Sequence, residues 1–246
     1  MAKIGFKISS RATLLLGREN LAKAEGALIE LIKNTYDADA SLCYILFDID
    51  NDCLYIIDNG IGMSEDIIKN YWMLIGTENK QKDYISKKKR IKSGEKGIGR
   101  FALDRLGNTC DMYTKTETSK KVLHWRVKWS DFEQTDRLLN EIQADLGYSF
   151  RPLTTFIPNT ISRNLANIDN EIKSFYPRHN KSNFNHGTII KISQLRDTWS
   201  EKSLSMLKDY LGYLIPPNLE NDKYKSEQTI LSDYAKVQRL SKFLAS

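Results

Sequence analysis

The sequence predicts an α/β sandwich in which helices cover one face of a mixed, mostly antiparallel sheet. Three observations carry this prediction. Amphipathic helical stretches alternate with short strands along the chain. Two pairs of strand-like runs are separated by turn-forming residues, as hairpins require. An isolated β-branched run, Gly187-Thr188-Ile189-Ile190-Lys191-Ile192, adds a strand after a long polar stretch. With 246 residues the chain can bury a sizeable core, as one large domain or two small ones. A composition of 41% hydrophobic and 28% charged residues argues for a globular chain over a disordered one.

Residues 1–19 are read as an N-terminal strap ahead of the first helix. That helix is expected over 20–38, with Asn20 as N-cap and Leu21, Ala24, Leu28, Leu31, Ile32 and Thr35 on one side. Two strands follow, at 41–49 and 53–58, joined at Asp50-Asn51-Asp52 as an antiparallel hairpin. Asp58-Asn59-Gly60-Ile61-Gly62-Met63 ends the second strand, and Ser64 caps a helix whose first turn holds Glu65 and Asp66. A basic loop leads into Ser93-Gly94-Glu95-Lys96-Gly97-Ile98-Gly99-Arg100-Phe101-Ala102 and a helix closed by Gly107. Residues 109–116 and 121–129 form the second hairpin, while 130–185 is polar, Asn-rich and weakly periodic, with no element assigned. An amphipathic helix over 200–214 stops at Pro216-Pro217. The domain is therefore placed at 20–215, with 216–246 as a helical tail or the stub of something longer.

Several function classes fall away on composition. No apolar stretch approaches the ~20 residues of a spanning helix, and no secretory leader is expected. Cys43, Cys53 and Cys110 form no CxxC pair, and His124, His179 and His186 lack helical metal-ligand spacing. A zinc site and a disulfide framework are therefore not expected, and the cytoplasm is the expected compartment. The net charge of +6 is unevenly distributed, since residues 80–100 alone carry +7. Such a run is a solvated loop, a polyanion site or a lid over a phosphate-bearing ligand, and composition does not choose.

Three motifs bear on the choice. In the first helix Glu30, Asn34 and Asp37 project within a ~60° arc opposite the apolar side. Any amphipathic helix has a polar face. As chemistry, the trio offers a carboxylate that can accept a proton, an amide oxygen that can ligate a metal and a second carboxylate. Magnesium suits one amide plus phosphate oxygens, because it keeps several waters in octahedral geometry. The second motif, Asp58-x-Gly60-x-Gly62, is either a turn or a place where backbone passes close to a flat ligand beside an amine-accepting carboxylate. The third, Gly94 to Gly99 leading into Phe101, is similar to a phosphate cradle at a helix start, but lacks the spacing of a P-loop or a dinucleotide fingerprint.

In their order and spacing, ALIELIKNTYDADA, IIDNGIGM, GEKGIGRFAL and, more weakly, GTIIKI resemble the Bergerat-fold (GHKL) ATPases over about residues 20–192. That superfamily includes the gyrase B subunit, ninety-kilodalton heat-shock chaperones, MutL and MORC proteins, and histidine kinases. The resemblance implies that Glu30 is the general base and that Asn34 ligates Mg²⁺. It implies that Asp37, Ala38 and Met63 line the nucleotide pocket, and that Asp58 accepts from the adenine amine with Gly60 and Gly62 admitting the base. A charged hydrogen bond of that kind contributes ~1.5–3 kcal/mol. Gly97, Ile98, Gly99 and Phe101 match the phosphate-binding glycine box, with Lys96 and Arg100 near phosphate oxygens. Thr188 matches the threonine of the adenine water network, and residues 76–96 become the ATP lid.

Glu30 and Asp37 favour the hydrolytic branch over histidine kinases, whose helix typically has a second amide and a lysine instead. Only 54 residues follow Ile192, too few for the transducer domain of hydrolytic members. The expectation is thus an N-terminal piece of a longer chain, or one that reads the γ-phosphate otherwise, with slow turnover. The implied activity is Mg²⁺-dependent ATP hydrolysis in a nucleotide-controlled, homodimerising clamp. The alternatives are a non-catalytic ATP sensor that recruits a partner, and a nucleic-acid-associated ATPase using Lys87–Lys92.

Overall fold

The computed structural model describes residues 3–5, 7–21, 23–75, 85–88, 90, 100–134, 137–158 and 184–213. Six strands form one sheet in the order β1-β2-β6-β3-β4-β5: β1 Cys43–Asp48, β2 Cys53–Asp58, β3 Gly107–Lys115, β4 Val122–Lys128, β5 Asp145–Ser149 and β6 Gly187–Leu195. Both predicted hairpins are present, as β1–β2 and β3–β4. The expected mixed character is not found: every pairing among the described residues is antiparallel. The reason is topological. Strands β2 and β3 run in the same direction, but β6 enters between them and runs opposite to both, so no parallel neighbours meet.

Alternation along the strands sorts side chains to two faces. Leu54 and Ile56 of β2, Ile190 and Ile192 of β6, and Cys110 and Met112 of β3 pack in the main core with Leu28 and Leu31 of helix α2 (Ala24–Asp37) and with helix α4 (Phe101–Leu106). Full burial of each such aliphatic side chain stabilises the fold by roughly 1.5–3 kcal/mol. The reverse face is not bare, because Tyr55, Ile57, Val122 and Ile189 are covered there by Leu153, Ile157 and Phe184. All six residues of β2 are consequently buried.

Helix boundaries differ from expectation at the N-terminus. Asn20 ends a separate helix α1 (Ser10–Asn20), and α2 begins only at Ala24, after Lys23 in an extended conformation. Each helix answers to a different partner. The stripe Ala24, Ala27, Leu28, Leu31 and Thr35 holds α2 on the sheet. In α1, Leu14 is buried, and Ser10 donates its hydroxyl to the Phe132 carbonyl at 3.1 Å. The stretch expected as a strap therefore rests, from Ser9 onward, on its own domain, where Ser9 also bridges to Leu138.

Ser64 caps a short helix, α3 (Glu65–Ile67), by accepting from the Ile67 N–H, and a π-helical turn continues it over Ile68–Trp72. The stretch 130–185, unassigned on sequence, contributes β5 and three 3₁₀ turns within its described part. Helix α5 (Glu201–Tyr213) matches the predicted 200–214 closely. Pro216-Pro217 and the tail 216–246 lie outside the described residues.

Candidate functional site

The centre of the site is the end of β2. Register aligns Asp58 with Thr188 of β6, and Thr188 with Thr114 of β3, so three polar residues stand in a row across neighbouring strands. They share the parity of Ile56, Ile190 and Met112, which places them on the helix-covered face. All three are buried, Thr114 completely. The Asp58 carboxylate accepts from the Gly60 N–H at 2.8 Å. Burial pushes its carboxyl up to about 7, against the pull of the Gly60 and Thr188 N–H groups and of His186, which favour the charged form.

The turn after Asp58 is held tightly from several sides. A Cβ on Gly60 would stand 2.7 Å from the Ala38 carbonyl oxygen and 2.9 Å from Asp58 Oδ1. Gly62 has φ +64°, and a Cβ there would meet the Lys115 carbonyl oxygen at 2.1 Å. Only glycine fits both demands at position 62. The Ile61 N–H donates to the Ala38 carbonyl at 2.9 Å, which ties the turn to the C-terminal end of α2. Met63 N–H donates to Thr114 Oγ1 at 2.9 Å, and His186 Nδ1 lies 2.7 Å from the Gly60 carbonyl oxygen.

Helix α2 carries the remaining polar trio. Glu30 is half-buried and its carboxylate pairs with Lys33 Nζ at 2.8 Å. Asn34 is half-buried one turn on, and Asp37 is buried near the end that touches the Asp58 turn. Among the described residues no group of three or more His, Cys, Asp or Glu side chains stands together as a metal cage. Asn34 supplies an amide oxygen on this helix, a donor type that magnesium accepts.

Beyond the helix, Asp39 adopts φ +60° and is buried. It receives the Ser86 hydroxyl at 2.5 Å and the Lys88 N–H at 3.2 Å, while Lys88 Nζ reaches its carbonyl at 2.8 Å. Arg90 donates to the carbonyls of Ala40 and Tyr36. Part of the basic run is thus engaged at the negative end of α2, where cations are favoured. Of the expected lid, 76–96, only 85–88 and 90 are described, and Lys96, Gly97, Ile98 and Gly99 lie outside the described residues. Arg100 donates to the Tyr71 carbonyl at 3.1 Å beside the Trp72 ring, and burial lowers its pKa to about 10. Phe101 buries its ring against Trp129 and anchors α4.

A family model described as histidine kinase-, DNA gyrase B- and HSP90-like ATPase matches residues 22–156, more than half of the chain. The chain belongs to this ATPase family. The match begins just before α2 and includes Glu30, Asn34, Asp37, Ala38, Asp58, Gly60, Gly62, Met63, Arg100 and Phe101, while Thr188 lies beyond it. Membership implies a nucleotide-binding ATPase domain. A curated relative from Herpetosiphon aurantiacus, named "Putative type II restriction enzyme HgiDII", is 31% identical over 86 residues. That stretch is 35% of this chain and 14% of the relative, so this domain spans a small part of that protein. No helix among the described residues is long and apolar enough to cross a membrane.

Two residues of this ATPase-family domain escape sequence reasoning at the site, and a third carries a signal that could have found it. Thr114 sits in an ordinary strand, and only pairing with β6 brings it to Asp58. His186 directly precedes Gly187-Thr188, but its bond to Gly60 spans 126 positions. Lys33 is audible in sequence, because it lies three residues from Glu30 on the same helix.

Proposed function

We propose that this chain is the ATP- and Mg²⁺-binding, ATP-hydrolysing module of a larger nucleotide-controlled clamp. The observation that carries the reading is the buried Asp58 carboxyl beside two glycines that leave no room for a side chain, in a turn fastened to α2. A flat base sliding over this turn would offer its exocyclic amine to Asp58. Asn34 would hold Mg²⁺, which when bound neutralises phosphate charge and orients the terminal phosphoryl group. Glu30 accepts the proton of the attacking water, for which its carboxylate has a second oxygen besides the Oε1 that pairs with Lys33. Gly97, Ile98, Gly99 and Phe101 would cradle the phosphates, with Lys96 and Arg100 as cations, and Asp37, Ala38, Met63 and Thr188 would line the base and ribose side.

Calorimetric titration with ATP and Mg²⁺, alongside phosphate release, tests the assignment. Glu30→Ala is expected to keep ATP affinity and to lower hydrolysis by ~10²–10⁴. Equal hydrolysis by variant and wild type would remove the role given to Glu30, and normal ATP binding by Asp58→Asn would move the base elsewhere. Hydrolysis absent from the wild type despite tight binding would leave the non-catalytic sensor. For the clamp, residues 1–19 are the candidate exchanged segment, and exchange would require α1 to give up the contacts that Ser10, Leu14 and Arg18 make with its own domain. Deleting residues 1–16 should abolish ATP-dependent homodimers in sedimentation, and unchanged dimers would refute the exchange.

A second reading is favoured by the basic run and by the name of the relative: an ATPase module associated with nucleic acid. Lys87 and Lys88 are exposed. Affinity for duplex DNA should then fall steeply with salt and after Lys87 and Lys92 are neutralised. Indifference to both would dismiss it.

A further inference from the structure

The protons at the Asp58 end of the sheet can be counted. Thr114 Oγ1 has one hydrogen and two lone pairs, and it has three neighbours. It donates to the Gly187 carbonyl at 3.1 Å, accepts from the Met63 N–H at 2.9 Å, and lies 3.1 Å from Thr188 Oγ1. The carbonyl can only accept and the amide can only donate. With its single proton committed to Gly187, Thr114 can complete the third bond only by accepting, so Thr188 must be the donor. Thr114 has no exposed surface, so no solvent competes for these bonds, and buried hydroxyls satisfy their capacity where geometry permits. The alternative orientation, with Thr114 donating to Thr188, would forfeit its bond to the Gly187 carbonyl.

We infer that Thr114 is a specificity-determining, positioning residue: it draws the Thr188 proton inward and leaves Thr188 as a pure acceptor beside the Asp58 carboxylate. Thr188 and Asp58 are direct partners on adjacent strands. A base edge presented to them meets two acceptors and no donor. An exocyclic amine fits this wall and a keto oxygen is repelled by it. Thr114 never needs to touch the ligand, because it acts through the hydroxyl of Thr188. The same residue fastens Met63, so it also holds the turn that Asp58 begins.

The inference rests on the proposed adenine site, and its test separates the two. ATP and purine riboside triphosphate differ only in the presence of the exocyclic amine, with N1 unprotonated in both, so the ratio of their dissociation constants reads how well the wall accepts from that amine. Both would be measured by calorimetry at pH 8, where Asp58 is charged. Wild type should prefer ATP, and Thr114→Ser, which keeps the hydroxyl, should keep that preference. Thr114→Val frees the Thr188 proton to turn outward and should reduce the ratio about five- to tenfold, the size of one hydrogen bond. Thr188→Val leaves every other Thr114 bond intact, should lower the ratio comparably, and serves if Thr114→Val fails to fold. A merely structural Thr114 would weaken both nucleotides alike and leave the ratio unchanged. An unchanged ratio in the valine variants, with wild type discriminating, overturns this inference alone. A wild type indifferent to the exocyclic amine overturns the adenine assignment and this inference with it.

Discussion

Asp104, wholly buried in α4, receives the Arg18 guanidinium of α1 through Nε at 2.8 Å and Nη2 at 2.9 Å. Arg196, just past β6, reaches the same carboxylate at 3.0 Å and the Asp104 carbonyl at 2.7 Å, while Glu133 accepts from both arginines. Four charges from four segments thus close around the helix that follows the glycine cluster. Only Asp104 is fully buried, whereas Arg18, Arg196 and Glu133 keep 35%, 26% and 43% of their side chains exposed and remain paired with one another. Removing Asp104 therefore costs about 1–3 kcal/mol, less than breaking a fully buried pair. Asp104→Ala should lower the melting temperature by roughly 2–12 °C in a chain of this size, read by scanning calorimetry. A shift under ~1 °C would show that solvent screens the cluster and that it contributes little to stability.

Asp58 should make the ligand-free domain less stable than it could be. Its folded pKa is raised to about 7, from a usual value of 3.8. The folded state therefore holds that proton more tightly than the unfolded chain does. Its contribution to stability is full below about pH 4 and is lost as pH rises through 7. Asp58→Asn removes this dependence. Relative to wild type the variant should gain stability between pH 4 and 8, by at most ~4 kcal/mol, followed by urea unfolding at several pH values. Parallel profiles for the two proteins would contradict the shift.

The same titration should couple to ligand. An amine that donates to Asp58 favours its charged form, so ATP affinity is expected to rise from pH 6 to 8 and then level off, with proton release on binding near pH 7. Calorimetry in buffers of differing ionisation enthalpy counts the protons. Affinity that is flat across this range, with no proton released, would separate Asp58 from the base.

Gly62 and Gly147 should respond oppositely to alanine. At Gly62 the new Cβ would collide with the Lys115 carbonyl at positive φ, so the turn must leave β3 and the Met63–Thr114 bond must break. Loss of about 2–4 kcal/mol of stability, together with weakened ATP binding, is expected. At Gly147 in β5 nothing stands within 4 Å, so Gly147→Ala should be neutral or slightly stabilising. Equal tolerance at both sites would refute the packing described for the turn.

Much of the fold was legible because its signals are local. Helix α2, strands β1, β2, β3, β4 and β6, the Ser64 cap and helix α5 each announce themselves by period or by an end residue, and their motifs identify the family. Helix α1 was not legible. Its attachment runs through Ser10, Leu14 and Arg18 to residues around 104 and 133, and no periodicity records partners that far away. Strand β5 was missed because DLGYS lies at the sheet edge, with its side chains exposed or half-buried, so it carries no buried alternation. The basic run read as one charged loop, yet Lys88 and Arg90 are spent on the carbonyls that end α2.

The chain's local chemistry specified which residue types were available: a carboxylate at a strand end, glycines able to take positive φ or close contact, and a polar helical arc. It also specified the family, since order and spacing along the backbone survive without knowledge of contacts. Pairing of distant strands decided the rest. The row Asp58–Thr188–Thr114 exists because β6 enters between β2 and β3, and burial in that row both raises the Asp58 pKa and dictates which hydroxyl donates. Desolvation and proton direction are properties of neighbours in space, and here those neighbours stand 74 and 130 positions apart.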